Sequence, residues 1–196
     1  MRESLHQFLD RVAHRGSWVG GGSVAALTAA LAAALLEKLL VRPQTVRTLR
    51  RTRGHCLRLV HEDAETFARV IQATRTRHQG TFRAALKAST NVQEHVFAHA
   101  RTIQRLCRLA KRSVKPRLQS DLHCAMVLAK ASEEASRTLI QTNRAWLNDR
   151  ISAPRRLRPR QASPGLGRGR DVAPREAWYK RNHGLARGAP QVNAPT

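Results

Sequence analysis

Aromatic residues, acidic residues and cysteines are all scarce in this 196-residue chain. Phe, Trp and Tyr make up only 4% of it, and the hydrophobic fraction of 41% is carried mainly by Ala and Leu. That mixture favours helices over sheets. Because no segment alternates apolar and polar residues long enough to predict a strand, we expect one all-α domain.

The cysteines are few and far apart, at Cys56, Cys107 and Cys124. An odd number at this spacing excludes a disulfide framework and a CxxC metal pair. It favours a reducing, cytoplasmic setting.

Long hydrophobic runs are also missing. The longest, residues 24–36, ends at Glu37 and is shorter than the roughly 18 to 20 residues that cross a bilayer. It lies too far from the start of the chain for a signal peptide and is preceded by Glu3 and Asp10. We therefore expect no membrane association.

Basic residues, by contrast, are abundant: 36 Lys and Arg against 13 Asp and Glu give a net charge of +23. This charge fits a nucleic acid, an anionic surface or an anionic small substrate as partner. The excess of Arg over Lys is equally explained by a GC-rich coding sequence. Composition alone leaves these explanations open.

Helical periodicity predicts about five helices packed as a bundle. Ser4 is expected to cap the first helix. The second helix opens at Ser23 and stops before Pro43. It is so uniformly apolar that it must be buried within the domain or between subunits. Gly54 is a point where the third helix can break. The predicted ranges are 4–14, 23–42, 45–75, 82–113 and 120–149, with a connection at 76–81.

Residues 153–196 are rich in Pro, Gly and Arg and have no sustained periodicity, which predicts a disordered tail after a helical domain at residues 1–152. Such a tail can bind polyanions weakly and without sequence preference. Trp178 and Tyr179 are its only stacking groups.

Three consecutive glycines, Gly20, Gly21 and Gly22, stand before Ser23 and the second helix. Glycines at this place allow a tight turn and close packing, and they also leave the first N–H groups of the helix free to bind an anion. The run by itself does not choose between the two roles.

Several blocks together resemble the formiminotetrahydrofolate cyclodeaminase and methenyltetrahydrofolate cyclohydrolase family. They cover roughly residues 3–150 and are the segments 4–10, 20–27, 32–38 and 63–67, then Ser120-Asp121 followed by an Ala-rich helix that ends in 143–149. Two positions depart from the family pattern. Trp18-Val19 precedes the glycines where the family has Pro, and Gln93 follows Val92 where the family has a Val-Pro element.

The resemblance implies a small, all-helical homodimer whose substrate is a tetrahydrofolate derivative. Family members release ammonia from 5-formiminotetrahydrofolate to give 5,10-methenyltetrahydrofolate, or hydrolyse the methenyl form to 10-formyltetrahydrofolate. The motifs do not separate the two reactions. The alternatives are a catalytically inactive helical scaffold and a non-specific nucleic-acid-binding protein that uses its basic tail.

Either reaction needs a carboxylate or histidine near the one-carbon bridge. Asp63 is the first catalytic candidate because it lies in a matched block among apolar helix positions, although any single Asp can equally be a solvated helix charge. Glu37 is the second. The expected substrate-binding residues are Gly20, Gly21, Gly22, Ser23, Asp121 and Asn143, of which Asp121 can also be a plain helix-start residue and Asn143 a bridge between helices.

Nine histidines are scattered along the chain. His95 and His99 share a helix face at i and i+4, a spacing that can hold zinc. No third ligand is evident, and the resemblance implies none, so we expect no metal site.

Overall fold

The computed structural model describes residues 4–76 and 78–152. Within these residues the chain forms five α-helices and no strand, as predicted. A single 3₁₀ turn, Pro116–Leu118, precedes the last helix. The helices are α1 (Leu5–Ala13), α2 (Gly21–Leu39), α3 (Pro43–Thr76), α4 (Gln79–Ala110) and α5 (Gln119–Ser152).

The start of α1 follows its sequence closely. The Ser4 hydroxyl accepts the Gln7 backbone N–H at 3.2 Å, and the Gln7 side chain accepts the Ser4 N–H at 2.9 Å. This reciprocal capping box confirms Ser4 as the N-cap. Phe8 is the buried anchor of α1, whereas Leu5 and Leu9 remain largely exposed.

Two predicted helix starts were wrong, and the glycine where α3 could have broken does not interrupt it. Gly54 does not interrupt α3, because one glycine in a 34-residue helix costs only about 1 kcal/mol and packing offsets it. Gly80, expected in a connection, lies in the first turn of α4, because the ring of His78 accepts the Thr81 N–H at 3.2 Å and caps the helix early. α2 begins at Gly21, so Ser23 is its third residue and not its cap.

Helix α2 is the centre of the fold and packs against α3, α4 and α5. Its small side chains allow close approach: the α5 hydroxyl of Ser132 donates to the Ala25 carbonyl oxygen at 2.8 Å. By length and composition α2 is apolar enough to cross a membrane, yet 56% of that stretch is buried against the other helices. Its high hydropathy is therefore explained by its position in the core, as its uniform apolar pattern predicted. Its buried residues include Ala26, Ala29, Ala32, Ala33 and Leu36.

The described helices belong to the compact unit Met1–Pro154. The tail predicted to be disordered, residues 153–196, lies outside the described residues.

Candidate functional site

Three buried polar side chains from three helices meet at the start of α2. The carboxylate of Asp63 on α3 accepts the Ser23 hydroxyl at Oδ2 (2.8 Å) and the Gln93 Nε2–H from α4 at Oδ1 (2.7 Å). Ser23, Asp63 and Gln93 are 0%, 6% and 1% exposed. In the described part of the chain Asp63 is the only buried acidic side chain.

The same carboxylate lies beside the N-terminus of α2. The N-cap residue, Gly20, has no side chain to accept the first helical N–H groups, and the Asp63 carboxylate lies beside them, where the Ser23 backbone N–H helps to offset the rise in its pKa. A negative charge at this end also interacts favourably with the helix dipole. The protein's own carboxylate thus lies at the helix end where the glycine run allows an anion to bind.

Gly22 is the residue that permits this approach. A Cβ at position 22 would lie under 3.0 Å from both the Asp63 carboxylate and the Gln93 amide nitrogen, a separation that real Cβ atoms essentially never show. Gly21 has no atom within 4 Å of the corresponding point. Of these two glycines, only Gly22 is required to be glycine by close packing.

Burial raises the pKa of the Asp63 carboxyl above its ordinary value, and the hydrogen bonds from Ser23 and Gln93 offset part of that rise. Desolvation disfavours the charged form, while donated hydrogen bonds favour it. A carboxyl group with a raised pKa holds a proton more readily than an ordinary carboxylate and can also return it. This is the property that acid–base chemistry at a one-carbon bridge needs.

The second predicted catalytic residue, Glu37, lies elsewhere. It stands about four turns further along α2, roughly 21 Å from Ser23 along the helix axis. Its oxygens accept the Nε–H of Arg50 at 3.0 Å and of Arg53 at 3.1 Å. Although burial acts to raise its pKa, the two arginines outweigh that effect and the Glu37 pKa is lowered. Glu37 is an anchor between α2 and α3.

Asp121 belongs to the same distant end of α2. It lies in the first turn of α5, and its Oδ2 accepts the Lys38 ammonium at 3.1 Å. The structure does not bring Asp121 next to Asp63.

Asn143 lies on α5 and is half-buried. It is on the helix face that also carries Ser132, Ser136 and Ile140, all buried. Ser132 contacts α2 two residues beyond Ser23, through the Ala25 carbonyl. Asn143 therefore continues the α5 face that passes the start of α2.

The histidine pair predicted as a possible zinc half-site lies on another part of the surface of α3 and α4. His99 Nε2 is 2.8 Å from His55 Nδ1, and the rings of His55 and His95 are 6.0 Å apart. Burial, with the neighbouring His55 and His95, lowers the pKa of His99 to about 4. Within the described ranges, no three His, Cys, Asp or Glu side chains are arranged to hold a metal ion.

Sequence reasoning did not select Gln93 as a site residue. A pattern that could have found it is present: Leu86, Gln93 and Ala100 recur every seven residues, which places all three on the inward face of α4. A polar amide in an otherwise buried stripe needs a polar partner inside the protein.

The two residues just before the glycines, Trp18 and Val19, differ in burial. Val19 is buried near Phe8 and Leu59, whereas Trp18 is 42% exposed. Trp18 is thus held at the surface beside the turn that leads into the site.

Comparison with known proteins identifies the family and the fold of the chain. A family model described as formiminotransferase-cyclodeaminase matches residues 4–158. The chain belongs to this family. No protein of curated function matches it in sequence.

Among solved structures, formiminotetrahydrofolate cyclodeaminase from Thermotoga maritima has a TM-score of 0.71 against this chain, at 24% identity. The match covers 76% of this chain and 82% of the other. At that identity the likeness establishes the all-α fold, and the resemblance read from the sequence is confirmed. Of the family-like blocks, those with the glycines and with Asp63 meet in one site, and Asp121 lies apart from it.

Proposed function

We propose that the protein is an enzyme of folate one-carbon metabolism that converts 5-formiminotetrahydrofolate to 5,10-methenyltetrahydrofolate and ammonia, or hydrolyses the methenyl form to 10-formyltetrahydrofolate. The observation that carries the proposal is Asp63, a buried carboxylate that accepts hydrogen bonds from Ser23 and Gln93 beside the N-terminus of α2. Membership of the cyclodeaminase family supports a tetrahydrofolate derivative as substrate.

In deamination, Asp63 acts as a proton carrier. The formimino group enters protonated, and N10 adds to its carbon to form the new carbon–nitrogen bond. The carboxylate takes the proton from N10 and returns it to the former imino nitrogen. The bond from that nitrogen to carbon then breaks, ammonia leaves with the electron pair, and the positive charge stays on the methenyl product.

In hydrolysis, the same group acts first as a base. Water adds to the methenyl carbon while the carboxylate takes one of its protons. The protonated Asp63 then donates to N5 as the carbon–N5 bond breaks. Loss of the remaining hydroxyl proton to solvent completes the formyl group, with one proton released overall.

The test is to offer purified protein each folate separately and to follow the methenyl chromophore, which appears in deamination and disappears in hydrolysis. Asp63→Asn removes the proton carrier and is expected to lower kcat by about 100-fold or more. Glu62→Gln is the matched control, because it neutralises an exposed carboxylate on the same helix. If wild type exceeds the uncatalysed rate with neither folate, the enzyme proposal fails.

A homodimer is proposed as the working form, supported by apolar side chains left on one surface. Val24 and Leu31 share the outward face of α2, and Val127 is exposed on the adjacent α5; their exposed fractions are 38%, 53% and 49%. The high positive charge makes copies repel each other except through an uncharged face. Light scattering should give a dimer for wild type, and Leu31→Asp should give a monomer.

Polyanion binding by the basic tail is a separate candidate property, favoured by the net charge of +23. Fluorescence anisotropy with arbitrary DNA should show binding that falls steeply with salt. Binding that persists after residues 153–196 are deleted would exclude the tail as its source.

A further inference from the structure

Gln93 is buried to 1% exposure, and its two amide atoms have different surroundings. Nε2 donates to Asp63 Oδ1 at 2.7 Å, whereas Oε1 is buried with no hydrogen-bond partner. It is the only such side-chain atom in the described part of the chain. Buried polar atoms are nearly always paired, so an orphan acceptor beside a buried carboxylate calls for a donor that the folded chain does not supply.

The orientation of the amide follows from Asp63. An ionised carboxylate only accepts hydrogen bonds, so Nε2 must face it and Oε1 must face away from Oδ1. Because both atoms are bonded to one amide carbon, a donor bound to Oε1 lies next to the Gln93–Asp63 pair. A group that contacts this oxygen is therefore placed beside the carboxylate.

Gln93 is also a position where this sequence departs from the pattern of the family that it resembles. The family pattern has Pro after the mid-helix Val, and Pro has no side-chain donor or acceptor. Here the glutamine adds a hydrogen bond to Asp63, and Gly22 leaves the space for both side chains.

We propose that Gln93 positions the reaction: its Nε2 holds the Asp63 carboxylate, and its Oε1 accepts a hydrogen bond from the group on which Asp63 acts. That group is an N–H of the formimino nitrogen in deamination or an O–H of the attacking water in hydrolysis. This inference rests on the proposed function and adds a second contact to the reacting group.

The test compares Gln93→Met with wild type in both assays. Methionine keeps the side-chain volume and removes both polar atoms. We expect kcat to fall roughly 10- to 100-fold, the effect of losing a hydrogen bond to a charged or reacting group. A larger loss with the formimino substrate identifies the imino nitrogen as the donor, and a larger loss with the methenyl substrate identifies water.

The pH profile gives a readout that a merely structural role would not move. Without the Gln93 donor the Asp63 carboxylate is less stabilised, so the acidic limb of the kcat profile should move to higher pH by about one unit. Gln104→Met is the matched control. It removes another buried α4 glutamine, which donates to Glu133 at 2.5 Å, and should cost stability without moving that limb.

The failures are distinguishable. If wild type is active and Gln93→Met, compared as folded protein, keeps wild-type kcat and the same acidic limb, the inference about Gln93 is wrong and the proposed function stands. If wild type turns over neither folate, the proposed function fails and this inference fails with it.

Discussion

Gly22 offers the sharpest test of how the site is built, because its neighbour Gly21 provides a control of identical chemistry. Neither glycine has a φ between +20° and +160°, so an alanine at either position fits the backbone. The two differ only in the space around the new methyl group. At Gly22 this group meets the Asp63 carboxylate and the Gln93 amide, and at Gly21 it meets nothing within 4 Å.

The magnitude follows from what must move in Gly22→Ala. Overpacking a well-filled interior costs about 1 to 3 kcal/mol. Displacing the carboxylate weakens its hydrogen bonds from Ser23 and Gln93, each worth about 1.5 to 3 kcal/mol because the acceptor is charged. After a helix-propensity gain of up to about 1 kcal/mol, we expect the free energy of unfolding to fall by about 3 to 5 kcal/mol.

Urea denaturation followed by far-ultraviolet circular dichroism measures this difference. With a slope of about 2 kcal/mol per molar urea, the midpoint of Gly22→Ala should fall by roughly 1.5 to 2.5 M. Gly21→Ala should stay within about 0.5 kcal/mol of wild type or become slightly more stable. Equal midpoints for the two variants would refute the close approach of Asp63 and Gln93 to the start of α2.

The remaining predictions concern His99 and Glu37. The pKa of His99 is about 4 in the folded protein and 6.5 ordinarily, so the unfolded chain binds the proton first as pH falls. His99 therefore lowers the free energy of unfolding as pH drops from about 6.5 to about 4. In His99→Gln the free energy of unfolding should fall less over this pH range than in wild type, whereas His123→Gln, at an exposed site on α5, should behave like wild type. An equal fall in wild type and His99→Gln would contradict the lowered pKa of His99. Glu37→Gln should leave kcat within about two-fold, because the residue lies roughly 21 Å from the site along α2. It should lower the thermal midpoint, because Arg50 and Arg53 lose their ionic partner. A loss of kcat comparable to that of Asp63→Asn would instead support Glu37 as a catalytic residue.

Much of the fold was predictable because it depends on local patterns. Apolar spacing, the Ser4 cap and the prolines locate the helices to within a few residues. The errors have local causes too: the His78 ring acted as a cap, and Gly54 was outweighed by packing along α3.

The candidate site was predictable in part. The sequence places Asp63 among apolar positions of one helix and glycines before the core helix, since both features depend on spacing within one segment. The packing of the helices, in contrast, sets the burial of Asp63 beside the start of that helix and its pairing with Gln93, 30 residues away. It also places Glu37 and Asp121 at the far end of α2. The physical reason is that such contacts depend on the rotation and register of packed helices, which a repeat of 3.6 residues does not specify.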